Sequence, residues 1–185
     1  MTYQQCLDIY GISDILSLPE AALRVVLGPE QTRHKVFRTL LEANDFEMGR
    51  DWFQSIFEAE MSEGKRKGQH FTPPEVNMLV SELVGCLSGS VHEPTAGTGG
   101  LIIADWWRRC LAVNPWRWRP SEHQYTAWEL SERAVPLLLT NLAVRGIVGD
   151  VYHGDVLEQT AKCHYRLMNP TNDGLAFSSV VIVED

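Results

Sequence analysis

The clearest chemical signal in this chain is the segment Glu93-Pro94-Thr95-Ala96-Gly97-Thr98-Gly99-Gly100, which follows a short extended run, Ser90 to Glu93, and opens a helix near Leu101. Glycines behind a strand let the backbone come close to a ligand and take positive φ angles. The unpaired amides of the helix start beyond them suit an anion or a polar group. The segment has neither the lysine of a P-loop nor the third spaced glycine of the dinucleotide fingerprint. A nucleoside triphosphate or a nicotinamide cofactor is therefore not the expected ligand, and a different adenosine compound fits better. A Gly-x-Gly pair alone also serves an ordinary tight turn, so the case rests on its surroundings.

A second signal lies in Trp106-Trp107-Arg108-Arg109 and Trp116-Arg117-Trp118-Arg119, which interleave indoles with guanidinium groups. Such a combination can stack on bases and meet phosphates, making Arg108, Arg109, Arg117 and Arg119 candidate DNA contacts. The competing reading is that the indoles pack on a sheet while the arginines snorkel or pair with acidic neighbours. His153, Cys163 and His164 match no standard metal-site spacing, and no metal site is expected. Cys6, Cys86, Cys110 and Cys163 lack Cys-x-x-Cys spacing and lie mostly among apolar residues, so they read as buried free thiols.

The elements that must position these groups change character along the chain. A helical front occupies residues 1–61. Ser17-Leu18-Pro19-Glu20 has capping-box spacing, and Gly28 can end the helix it opens. A second run, Gln31 to Ala43, carries Val36, Phe37, Leu40 and Leu41 at helical spacing, and a third holds Trp52, Phe53, Ile56 and Phe57. The polar run Ser62 to Lys67 reads as the joint to a second unit, residues 62–185. There Thr72-Pro73-Pro74-Glu75 is another capping box, opening a helix with Val76, Leu79, Val80, Leu83 and Val84. Strands are expected at Ser90 to Glu93, Gln124 to Glu129, Gly149 to His153 and Tyr165 to Met168, with a helix from about Glu132 to Val144. This alternation implies an α/β fold with a parallel sheet and helices across its faces.

Two segments in this order and spacing, Gly68-Gln69-His70-Phe71-Thr72-Pro73 and Glu93-Pro94-Thr95-Ala96-Gly97-Thr98-Gly99-Gly100, resemble the adenine-specific amino-methyltransferases of DNA, above all the modification subunits of type I restriction systems. The resemblance covers about residues 60–172 and implies a Rossmann-like class I sheet that binds S-adenosyl-L-methionine. It also implies that Phe71, Thr72 and Pro73 line the cofactor pocket. The turn Glu93, Pro94, Thr95, Gly97 and Gly99 would surround the methionine portion, where a carboxylate such as Glu93 suits a cationic ammonium and sulfonium. Glu129, at a strand end, can accept from both ribose hydroxyls, as an acidic residue does in dinucleotide folds. Asp155, in His153-Gly154-Asp155-Val156, resembles the family's Gly-Asp segment, whose carboxylate accepts from the adenine amine while a neighbour such as Val156 contacts the ring.

The family's Asn/Asp/Ser-Pro-Pro-Tyr/Phe motif reads here Asn169-Pro170-Thr171-Asn172. By resemblance Asn169 and the Pro170 carbonyl would accept hydrogen bonds from the target amine, while an aromatic ring stacks on the flipped base. Asn172 has no stacking face, a loss of about 1–3 kcal/mol, and Thr171 removes the second proline's rigidity. Three readings follow: a weakly active or partner-dependent adenine methyltransferase, a non-catalytic relative that keeps cofactor binding and regulates within restriction and modification, or a pure interaction module with an empty pocket.

Between Asn172 and the final apolar run Val180-Val181-Ile182-Val183 there is too little chain for a crossover helix. The last strand is expected to pair antiparallel in a sheet that is incomplete on its C-terminal side, with an open edge for a second copy or a partner chain. Composition sets the outer bounds. The 185 residues are 44% hydrophobic, enough for one sizeable core. A formal net charge of −8 confines any DNA contact to a local patch. No membrane span or secretion signal is read, so the chain is expected to be cytoplasmic.

Overall fold

The helical front begins earlier than its hydrophobic spacing indicates. In the computed structural model, which describes residues 1–63, 72–113 and 117–184 without the side chains of 59–63, helix α1 spans Tyr3–Tyr10. It starts at a reciprocal capping box: Thr2 Oγ1 accepts from the Gln5 amide at 3.2 Å and Gln5 Oε1 accepts from the Thr2 amide at 2.7 Å. Helices α2 (Leu18–Val26), α3 (Glu30–Ala43) and α4 (Gln54–Glu63) follow, close to the expected runs. The two boxes read in the sequence do not form. Ser17 already has helical angles because a 3₁₀ turn, Ile15–Ser17, leads straight into α2, and it makes no side-chain cap. For α5 (Pro74–Val84) the cap position falls on Pro73, which has no side-chain acceptor.

Strand β1 (Val91–Glu93), helix α6 (Gly100–Ala112), strand β2 (Gln124–Glu129), helix α7 (Val135–Val144) and strand β3 (Val148–Asp155) form two successive crossovers. β1, β2 and β3 are parallel neighbours, with Glu93 beside Ala127 and Glu129 beside His153. Both crossovers advance in the same direction across the sheet, so right-handed connections place α6 and α7 on one face. α7 is apolar but for Thr140 and Asn141 and is buried along its whole length, wedged between the strands and α2. The core is continuous: Cys6, Phe37, Phe53 and Phe57 of the helical front belong to the same buried cluster as Leu138, Tyr125, Val151 and Val180.

The expected parallel sheet is in fact mixed. Strand β4 (Thr160–Met168) runs antiparallel to β3, with Gly149 beside Leu167, and β5 (Ser179–Val183) runs antiparallel to β4, giving the order β1-β2-β3-β4-β5. Val156–Gln159 is only a turn, closed by Gln159 at φ 52°, and a parallel return would need a dozen residues or so. β5 is antiparallel as expected, and β1 and β5 are the sheet edges. On the face away from α7, Trp128, Tyr152 and His164 stack across β2, β3 and β4 with ring centroids 4.7 and 4.3 Å apart. All four cysteines are free thiols, but only Cys6 is fully buried and Cys86 is exposed. Among the described residues no helix is long and apolar enough to cross a membrane.

Candidate cofactor site

A cavity of about 760 Å³ opens beyond the C-terminal ends of β1, β2 and β3, where ligands sit in open parallel sheets. The glycine turn forms its floor. Gly97 and Gly99 take positive φ angles of 57° and 102°, so the chain folds back from β1 and enters α6 through Gly99, a cap position without a side-chain cap. Gly100 is required for a different reason: a Cβ there would stand 2.5 Å from Asn77 Nδ2. That contact locks the start of α6 against α5.

Of the residues expected to bind cofactor, Thr72, Glu93, Pro94, Thr95, Gly97, Glu129, Asp155 and Val156 line this cavity together. Pro73 and Gly99 do not line it, and Phe71 lies outside the described residues. Glu129 is buried at the end of β2. Its Oε2 accepts from the Gly97 amide at 2.7 Å and its Oε1 from the Ser131 amide at 2.8 Å. The carboxylate thus fixes the glycine turn. Glu93 Oε1 accepts from the amide and hydroxyl of Thr95, at 3.1 and 3.3 Å. Asp155 Oδ1 accepts from the Leu157 and Glu158 amides, at 2.9 and 3.3 Å, which turns the chain after β3.

Four polar side chains of the cavity wall escaped the sequence reading: Asp51, Gln54, Asn77 and Ser131. Asp51 sits just ahead of α4. Its Oδ1 accepts from the Phe53 and Gln54 amides, at 3.0 and 3.2 Å, and from Asn141 Nδ2 at 2.8 Å. Its Oδ2 accepts from Thr98 Oγ1 at 2.5 Å. Burial pushes this carboxyl above its ordinary range, against the pull of those hydrogen bonds and of Arg145. Arg145 is buried behind it, donating to the carbonyls of Met48 at 2.8 Å, Arg50 at 2.5 Å and Asn141 at 2.7 Å, with its guanidinium 4.5 Å from the Trp52 ring centre. A polar chain therefore ties the helical front to the glycine turn. Its sequence signal was an Asp immediately before the apolar run that begins Trp52-Phe53, the pattern of an N-terminal cap.

Asn169 and Pro170 are not brought to this cavity. Because β4 runs antiparallel, they emerge at the opposite end of the sheet, roughly 20 Å away at about 3.3 Å per residue of β3. Asn169 is buried there as the hub of a turn. Its Nδ2 donates to the carbonyls of Asp173 at 2.8 Å, Ala176 at 3.3 Å and Gly146 at 3.4 Å. Its Oδ1 accepts from Thr171 Oγ1 at 2.9 Å and the Asp173 amide at 3.3 Å. Asn172 has φ 50°, a left-handed conformation that asparagine tolerates and a bulky aromatic residue resists. Its side chain accepts from the Ser121 amide at 2.9 Å.

The arginine candidates also divide. Arg109 is 1% exposed and Arg108 donates to Ser81 Oγ, the Cys86 carbonyl and Asp105, so neither is presented to a duplex. Arg109 Nε lies 2.6 Å from Asp105 Oδ2 at an angle that makes an ion pair rather than a well-formed hydrogen bond. Trp106 and Trp118 are buried, the latter stacked on His123 at 4.0 Å. Arg117 and Arg119 are exposed, and Trp116 lies outside the described residues.

Residues 49–173 match the N-6 DNA Methylase family. The chain is also 31% identical over 131 residues to the type I restriction enzyme HindI methylase subunit of Haemophilus influenzae, a match covering 65% of this chain and 27% of that protein. The chain thus spans about a quarter of the length of this relative. No solved structure gives a significant match. With the family's glycine turn and its acidic strand ends gathered on one cavity, and a family match over most of its length, the chain belongs to the N-6 DNA methylases.

Proposed function

We propose that the chain is a Rossmann-like S-adenosyl-L-methionine-binding unit of an adenine methyltransferase, and that the cavity at the ends of β1–β3 is its cofactor site. One observation carries this reading: among the described residues the cavity is lined by Asp51, Glu93, Glu129 and Asp155 and by no lysine or arginine. Such a wall repels phosphates and suits an adenosine ligand that carries positive charge. S-adenosyl-L-methionine has both a sulfonium and an ammonium. When bound it supplies an activated methyl group. Glu129 would accept from the ribose hydroxyls, Asp155 from the adenine amine, Val156 would meet the ring, and Thr72, Pro73, Pro94 and Thr95 would close around the remainder with Phe71.

Calorimetric titration of the full chain with S-adenosyl-L-methionine and with ATP tests this. Saturable heat with the first and none with the second is expected. Absence of binding by folded protein overturns the cofactor site.

Transfer of the methyl group to a DNA adenine is a further step, and one observation favours the alternative, a non-catalytic relative that binds or regulates within restriction and modification. Asn169, the group that would polarise the target amine, is occupied in a turn at the far end of the sheet. In this reading a second copy or a partner chain covers the open edge of the sheet at β5, and Arg117 and Arg119 remain the candidate DNA contacts. The division into residues 1–61 and 62–185 and a cytoplasmic location belong to the same proposal. Methylation of adenine-containing DNA by the isolated chain would decide for the active enzyme.

A further inference from the structure

We infer that Asp51, from the helical front, holds the α-ammonium group at the amino-acid end of the cofactor, so that the N-terminal helices complete the binding site. The inference rests on the cofactor cavity proposed above and names a residue for one of its ligand's charged groups.

An ammonium donates hydrogen bonds and seeks an acceptor that is charged, fixed and shielded from water. The four carboxylates that line the cavity among the described residues differ in these respects. Both oxygens of Glu129 are anchored to backbone amides at the ribose end. Asp155 Oδ1 is committed to the turn after β3, away from α6. Glu93 stands at the half-exposed end of β1. Asp51 alone is held from several sides, by two amides, Asn141 and Thr98. Three of those bonds fall on Oδ1. Among the described residues Oδ2 accepts only from Thr98 Oγ1, which leaves it a lone pair. Oδ2 is also the oxygen turned toward the ligand's floor: it lies 3.9 Å from where a Cβ on Gly100 would stand, and Gly100 and Leu101 line the cavity beside it. Gln54 and Asn77 flank the same corner, both donating to the Thr72 carbonyl, at 3.3 and 3.2 Å. Partial burial strengthens the pull of this carboxylate on a cation that enters, because the local dielectric is lower than that of water.

The test compares two ligands that share a nucleoside and a thioether and differ at the amino-acid end: S-adenosylhomocysteine and 5′-methylthioadenosine. Titrations use the full chain and its Asp51→Asn variant, which removes the charge and keeps the shape. The variant is expected to weaken S-adenosylhomocysteine binding by about tenfold or more, the worth of a hydrogen bond to a charged group, and to leave 5′-methylthioadenosine within about twofold. An equal loss for both ligands, or no loss for either, overturns the role of Asp51 while leaving the cofactor cavity in place. Failure of the unaltered chain to bind S-adenosylhomocysteine overturns both. If Asp51→Asn does not fold, Glu93→Gln decides. Wild-type preference for S-adenosylhomocysteine over 5′-methylthioadenosine survives in that variant if Asp51 holds the ammonium and disappears if Glu93 does.

Discussion

The two ends of the sheet are built from similar residues and arrive at opposite states. At the C-terminal ends of β1–β3, carboxylates pin the loops while leaving a cavity between them: Glu129 holds Gly97 and Asp155 turns the chain after β3. At the other end, the turn after β4 closes on itself, with Asn169 exchanging five hydrogen bonds with its own neighbourhood. A polar side chain that fixes a loop around empty space makes a site, and one that fills the space itself makes a joint. The difference lies in strand direction. Three parallel strands deliver their tails to one end, and an antiparallel fourth carries its motif away from them.

That contrast can be broken most sharply at Glu129. Glu129→Ala removes the acceptor for two backbone amides and is expected to lower affinity for S-adenosyl-L-methionine by about 100-fold in calorimetric titration. Retained affinity would mean that the cavity's shape does not depend on its carboxylate. Asn169→Ala should do the reverse. It leaves buried carbonyls and an amide unpaired, and a loss of about 2 kcal/mol in denaturant-unfolding stability is expected, with cofactor affinity within about twofold of the unaltered chain. A large loss of affinity without loss of stability would return Asn169 to the site. The smallest effect concerns His123, packed under Trp118 and beside Arg109, where burial and then that guanidinium hold its pKa below the ordinary 6.5. The unfolded chain therefore takes up a proton first as pH falls below about 6.5, and the stabilisation present above that value is lost on acidification. His123→Phe keeps the stack and should flatten the melting temperature against pH in that window; an unchanged slope would assign it to other groups.

Legibility in the sequence followed the same divide. The glycine turn, Glu129 and Asp155 were readable because each is tied to a strand end, and the ends of parallel strands are where an α/β sheet keeps its ligands. Asp51, Gln54 and Asn77 were not, since each is one polar residue at or near a helix start with no motif spacing to mark it. Asp105-x-x-Arg108-Arg109 did carry a signal of its fate: acid and base stand three and four residues apart on one helix, the spacing of an intrahelical ion pair rather than of a free basic patch. The direction of β4 was legible too. The length argument that made β5 antiparallel applies with equal force to the four residues between Asp155 and Thr160.

The stack of Trp128, Tyr152 and His164 gives the molecule an optical signature of its own. It bridges β2, β3 and β4 and so joins the parallel strands to the antiparallel return, with Trp128 next in sequence to Glu129. Aromatic rings held face to face in a fixed, chiral arrangement couple their transitions. The stack therefore contributes to the near-ultraviolet circular dichroism of the folded chain beside the Trp106–Trp107 pair, and the part lost on Trp128→Phe reads the junction between the two halves of the sheet from within.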